Sequence, residues 1–261
     1  MRSLDIAGTG LSAQQIHVDV ISHNLANMTT TGYKAQRPEF QDLIYQDLKR
    51  AGTNASSQGG IIPVGVQIGL GVKNSAISRE FSQGTVQSTE APLDIAFQGK
   101  GFFTVQLPDG TDAYTRDGAF KISENGIIVS RDGYPLQPNI TIPDDATNIS
   151  INSSGEVEAT IQGQIQPQLL GQIQATTFIN PTGLQAIGDN LYLESQASGT
   201  PINGIAGEQG VGTVLQGYLE SSNVNPVTAI TDLIVAQRAY EMNTKVIKAS
   251  DEMLQSLNQS V

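Results

Sequence analysis

From Asn225 to the end of the chain no Gly occurs, no Pro follows Pro226, and large apolar residues recur every seven positions. That stretch predicts one long helix. Asn225 is a good N-cap, and Pro226 suits the first helical position, where its missing N–H is not needed. Leu233, Tyr240, Ile247 and Leu254 fall nearly in a row along it. Val235, Ala239, Met242, Val246, Ala249 and Met253 form a second row, stepping by four and three. Residues two apart are turned by about 200° around a helix, so the two rows lie on roughly opposite faces. A helix on the surface of a monomer needs one apolar stripe. Two opposed stripes predict contacts on two sides, hence an assembly. A helix buried inside an ordinary domain is the alternative reading of the same pattern.

The opposite end mirrors this. Leu4, Leu11, Val18 and Leu25 repeat at sevenfold spacing, flanked by Ala7, Ile21 and Met28. Ser3 can cap the start. Thr29, Thr30 and Thr31 lose rotamer freedom in a helix, and Gly32 suits the position past its end. The natural partners of two such helices are each other and copies from other chains.

Between them the character changes. Gly32 and Pro38 break any helix; Phe40, Leu43 and Ile44 then predict one or two further helical turns. Residues 46–60 are polar and rich in Gly, Ser, Asn and Gln, which predicts a loop or a disordered linker. Ile62, Val64, Val66, Ile68, Leu70 and Val72 alternate with Pro, Gly and Gln, a period of two that predicts an extended strand with one apolar face. Beyond Arg79, short apolar runs alternate with turn signals at Pro108-Asp109-Gly110, Asp117-Gly118, Glu124-Asn125-Gly126, Asp132-Gly133 and Ser153-Ser154-Gly155. Strands are expected at 93–97, 102–106, 119–122, 127–130, 149–151, 157–161 and 172–178, closing into a β-barrel or sandwich. The fold class is therefore α+β. Residues 1–45 hold the N-terminal helix and the turn after it, 46–92 an extended linker with a strand, 93–218 an all-β domain, and 219–261 the C-terminal helix.

Charge and composition exclude several functions. The net charge is −11, from 14 basic and 25 acidic residues. Much of the excess lies in the middle of the chain, with no basic stripe for nucleic acid. With no Cys, there is neither a disulfide nor a thiolate metal site. His17 and His23, six apart on the first helix, do not share a face as a metal pair would. No apolar run reaches the length of a membrane span, and the N-terminus lacks the apolar core of a cleaved signal peptide. The β region has no His to serve as a base and no Gly-x-Ser-x-Gly turn, so neither a catalytic residue nor a cofactor is expected. Gly99-Lys100-Gly101-Phe102-Phe103 is no phosphate loop. Asp109, Asp112 and Asp117 lack the order of a Ca²⁺ loop. Arg116-Asp117-Gly118 and Arg131-Asp132-Gly133 read as two similar turns.

Ile21-Ser22-His23-Asn24-Leu25-Ala26-Asn27, with Thr31-Gly32-Tyr33-Lys34, resembles the N-terminal signature of the flagellar basal-body rod and hook family. Leu219-Glu220-Ser221-Ser222-Asn223-Val224, followed by residues 233–243, resembles the same family's other end. In the middle, Leu93-Asp94-Ile95-Ala96, residues 99–103 and Tyr114-Thr115-Arg116-Asp117-Gly118 are similar too. Length and the 46–72 segment set the chain apart from the longer hook members and the shorter proximal ones. The resemblance implies a structural subunit that stacks helically into a hollow tube, the drive shaft carrying motor torque to the hook. The implied partners are further copies of the chain, proximal rod proteins, the hook protein, surrounding ring proteins and the export apparatus, which needs no cleaved signal. Leu4, Leu11, Val18, Leu25, Leu233, Val235, Tyr240, Met242, Val246, Ile247 and Leu254 are then expected at subunit interfaces. Ile62, Val64, Val66 and Ile68 are expected to stiffen the tube, since a shaft resists bending where a hook yields. Two other classes remain open from the residues alone: a β-barrel binding protein whose terminal helices merely pair, and a cell-wall glycan enzyme using Glu156 and Glu158, two apart on one strand face.

Overall fold

The computed structural model describes residues 2–49, 64–164, 166–208 and 210–259, apart from the side chain of Leu257. The chain divides into two compact units. Unit 1 comprises Met1–Leu25, Gln36–Ser78 and Asn225–Val261; unit 2 comprises Ala26–Ala35 and Arg79–Val224.

Unit 1 holds two long helices, α1 (Arg2–Ala26, whose last residue belongs to unit 2) and α2 (Pro226–Gln259). Neither is long and apolar enough to cross a membrane. Asn225 caps α2: its Oδ1 accepts the N–H of Val227 at 3.0 Å and of Thr228 at 3.4 Å. Such a cap stabilises a helix by about 1 kcal/mol over Ala. Seven residues forward on α1 correspond to seven back on α2. Ser3 Oγ meets Ser250 Oγ at 3.5 Å, and Gly10 packs against Asn243. The pair is therefore antiparallel. Ala229, Ala236 and Ser250 are buried at sevenfold spacing along α2, and half-buried Asn243 completes the row. Ala7, Ala13, Val20 and Ile21 are the buried residues of α1.

Four strands complete unit 1: β1 (Gln36–Asp42), β2 (Tyr45–Lys49), β3 (Val66–Gly69) and β4 (Val72–Arg79, whose last residue belongs to unit 2). β1 pairs with β4, and β2 runs antiparallel to β3 with Gln46 opposite Ile68. This corrects three expectations, one being the loop at 46–60, whose start at residues 46–49 lies in β2. Phe40, Leu43 and Ile44 form no helical turn: Phe40 lies in β1 with its ring 6.1 Å from that of His17, and the Leu43 N–H donates to Gly71 O at 2.8 Å. Pro38 is tolerated there because a two-stranded ladder consists of edges. Nor does the alternation running to Val72 continue as one strand. It breaks at Leu70-Gly71, where Gly71 has φ +123° and lies so close to Thr9 that an added Cβ would stand 2.2 Å from its Oγ1. The Val72 N–H then donates to that hydroxyl. Period two recognises extended chain but not a glycine at which it turns to a new partner. Ile62 lies outside the described residues.

Unit 2 is β-rich. Its largest sheet runs in the order Leu136–Gln137, Phe103–Gln106, Asp112–Thr115, Leu191–Leu193, Gln185–Gly188. A second sheet joins Ala146–Ile151, Glu156–Ile161 and Gln168–Gln172. Ile95, Phe97, Phe103, Val105, Ile128, Leu136, Val157 and Ile173 fill the core, with the rings of Phe97 and Phe103 4.3 Å apart. Phe102, Tyr114, Phe178, Leu184 and Tyr192 form a smaller aromatic cluster. The strand expected at 172–178 is two, parted at Ile173. Asp112–Thr115, Leu191–Leu193, Ile202–Ile205 and Thr213–Gln216 are strands that periodicity passes over, because three or four residues show no pattern.

Candidate assembly surface

Unit 1 carries the helix residues expected at interfaces from the sequence. Leu4, Leu11, Val18 and Leu25 are half-buried along α1. On α2, Leu233, Ile247 and Leu254 are half-buried and Tyr240 is exposed. The opposite row stands in solvent: Val235 and Met242 are each 60% exposed, with Val246 and Met253 close behind. Two open clefts flank these rows. One, of about 490 Å³, is lined by Ile6, Gly10, Val72, Asn243 and Val246. The other, of about 530 Å³, is lined by Gln15, Val18, Gln237, Tyr240 and Glu241. The row of Ala229, Ala236, Asn243 and Ser250 escaped the reading of large apolar residues. Its sevenfold spacing was the available signal, and small side chains let helix axes approach closely.

The β2–β3 ribbon is a second exposed apolar feature. Val64 just before β3 is 75% exposed, Val66 is exposed and Ile68 half-buried. Ile44, at 81%, together with Tyr45 and Leu48, adds to it. A two-stranded ribbon cannot bury both faces by itself.

Unit 2 holds a feature the sequence reading missed. Lys34, Arg116 and Glu220 are all buried, Lys34 completely. Lys34 Nζ donates to Glu220 Oε1 at 2.6 Å and to Ser82 O at 2.7 Å. Arg116 donates through Nη1 to Glu220 Oε2 at 3.3 Å and through Nη2 to Gly99 O at 2.8 Å. The Gly84 N–H gives Glu220 Oε1 another bond at 2.9 Å. Two cations thus share one carboxylate. Burial pushes the Lys34 ammonium below its ordinary range, against the pull of Glu220, and lowers Arg116 likewise. Arg116 also stands over the Phe102 ring at 5.3 Å. Burial raises Tyr33 to about 12. The three charged residues lie in three separate motifs of the sequence, and the fold brings those motifs together.

The remaining candidates have local explanations. Asp109 accepts from Thr111 Oγ1 and its N–H, and Asp117 accepts the Ala119 N–H at 3.1 Å. Glu156 is bound by Asn152 Nδ2 at 2.5 Å. Among the described residues no three His, Asp or Glu side chains gather as a metal site would require. The two Arg-Asp-Gly triplets differ. Arg116 is buried and Gly118 packs against Ile95 O, whereas Gly133 is a left-handed turn at φ +87° with open space around it.

The sequence matches three family descriptions in chain order. Residues 4–34 match the flagella basal body rod protein, 96–159 the flagellar hook protein FlgE/F/G D1 domain, and 215–260 the flagellar basal body rod FlgEFG protein C-terminal region. Lys34, Arg116 and Glu220 fall one in each. The chain is 54% identical over 259 residues to the flagellar basal-body rod protein FlgG of Caulobacter vibrioides, covering 99% of both. It is 48% identical over 256 residues to FlgG of Borreliella burgdorferi, covering 97% of this chain and 96% of that one. With FlgG of Bacillus subtilis it shares 40% over 262 residues, 98% of each. Similarity of this extent, continuous from the first helix to the last, means that the chain belongs to the FlgG family of flagellar basal-body rod proteins.

Proposed function

We propose that this chain is a structural subunit of the distal flagellar rod, which polymerises into a helical hollow tube that carries torque to the hook and forms part of the export channel. It acts as a structural element and not as an enzyme, as its family does. The observation that carries the reading is the exposed row Val235, Met242, Val246 on a helix already paired along another face. Each of these side chains buried between subunits contributes about 1.5–3 kcal/mol, repeated at every subunit. Copies of the chain supply the main contacts, through Leu4, Leu11, Val18, Leu25, Leu233, Tyr240, Ile247 and Leu254 as well. The β2–β3 ribbon, with Val64, Val66 and Ile68, packs on a neighbouring subunit and stiffens the tube. Proximal rod proteins, the hook protein and surrounding ring proteins are the partners at its ends and flanks, and the flagellar export apparatus delivers the chain. Sedimentation of purified protein at rising concentration, with electron micrographs of the pellet, tests this. Hollow tubes above a threshold concentration are expected. A chain that stays monomeric throughout would contradict the reading.

A further inference from the structure

The chain changes unit between residues 25 and 26, 35 and 36, 78 and 79, and 224 and 225. Within unit 2, three of these crossing points are laced together by side chains. Ala35 N–H donates to Asn223 Oδ1 at 2.7 Å, Asn223 Nδ2 donates to Glu80 O at 2.8 Å, and Glu80 N–H donates to Ala35 O at 2.8 Å. One residue further in, Lys34 bonds both Glu220 and Ser82 O. The backbone adds Gly32 N–H to Glu220 O at 2.7 Å and Ser221 N–H to Thr85 O at 2.8 Å. Inside unit 1, Asn24 does the same for the first two crossings, donating to Gln36 O and accepting the Gln36 N–H.

We infer that Lys34, Glu220 and Asn223 form a clamp that fixes the points at which the chain leaves unit 2 toward β1 and α2, and that assembly depends on this clamp beyond its effect on folding. The inference rests on the polymer reading above. Buried ion pairs are weak sources of stability, since desolvation offsets most of their attraction; a good use of one is to specify geometry. Here one carboxylate receives an ammonium from one chain segment and a backbone N–H from another, so its geometry joins both. Arg116 joins the same carboxylate from the Tyr114–Gly118 stretch, which is not a crossing point. Any play at the exits would recur at every subunit of a helical polymer.

Lys34→Met and Arg116→Met make a matched pair. Each removes one buried cation and two hydrogen bonds, and each leaves Glu220 with one cation and the Gly84 N–H. Melting of unit 2 in the full chain should fall similarly in both. Lys34→Met should raise the concentration needed for polymerisation at least about tenfold, and Arg116→Met far less. Asn223→Ala, which touches no buried charge, should shift assembly in the same direction as Lys34→Met and serves if that variant folds poorly. Equal shifts from Lys34→Met and Arg116→Met would reduce the cluster to a folding element. Unchanged assembly of Lys34→Met or Asn223→Ala alongside a polymerising parent would overturn the clamp alone. A parent that never polymerises would instead contradict the polymer reading.

Discussion

Gly10 of α1 lies against Asn243 of α2, so that a Cβ built on Gly10 would stand 3.1 Å from Asn243 Nδ2. The nearest atom is the end of a side chain that can shift by a few tenths of an ångström. Gly10→Ala should therefore be tolerated, with up to about 1 kcal/mol of helix propensity offsetting the crowding. Gly10→Leu sets a branched side chain against Asn243 and should force the helices apart. Pelleting assays should show near-parental assembly for Ala and none for Leu. Assembly by Gly10→Leu would mean that the α1–α2 pair is not the packing unit of the polymer.

The buried row of α2 consists of Ala229, Ala236 and Ser250, small residues that bring little apolar area to the pair. Most stability of a helix in water comes from burying such a face. Helix content should therefore rise on polymerisation. Circular dichroism of dilute monomer and of polymer at equal total protein would measure it. Equal helicity would show that α1 and α2 are complete before assembly.

Asp117 offers a test by pH. Burial holds its carboxyl above the ordinary 3.8, against the Ala119 N–H that favours the charged form. A carboxyl raised on folding costs stability at neutral pH, and the cost is relieved as pH falls through the raised value. Asp117→Asn keeps the acceptor for Ala119 and discards the charge. Its melting temperature should equal or exceed the parent's at pH 7, and the difference should disappear below pH 3.8. A variant less stable at pH 7 would show that the charge itself is needed.

The helices were legible because their signals are local. The Asn225 cap is two and three residues from the N–H groups it accepts, and the sevenfold rows lie within one segment. The turn glycines of unit 2 were legible for the same reason, as at Gly110, Gly126 and Gly133, all with positive φ. The clamp was not. Lys34 and Glu220 are 186 residues apart, and a lysine or a glutamate in isolation reads as a solvated surface charge. Only the motifs around them marked the place. The small-residue row at 229, 236, 243 and 250 escaped for another reason. An apolar census counts large side chains, while helix contacts also select small ones. Gly71 looked like one more polar position of an alternating strand until its φ and its contact with Thr9 made it a corner.

The stiffness assigned to the β2–β3 ribbon is open to a separate test. Replacing Val64, Val66 and Ile68 together by Ser removes the apolar side chains of its exposed arm and leaves the helices untouched. Each lost contact is worth about 1.5–3 kcal/mol if buried against a neighbour. The variant should still polymerise, into tubes of shorter persistence length in electron micrographs. Straight tubes of parental persistence would assign rigidity to contacts between the β-rich units.

The central claim is that the open face of α2 is a subunit interface. Val235 and Met242 are both 60% exposed in the single chain, so Val235→Asp with Met242→Asp should leave the monomer's fold and melting unchanged. Inside a polymer the same two carboxylates would be buried without partners, at a cost of several kcal/mol each. Sedimentation of this double variant beside the parent, across the same concentration range, is the most direct measurement. The account predicts tubes from the parent and monomer from the variant. Tubes from the variant at the parental threshold would contradict it.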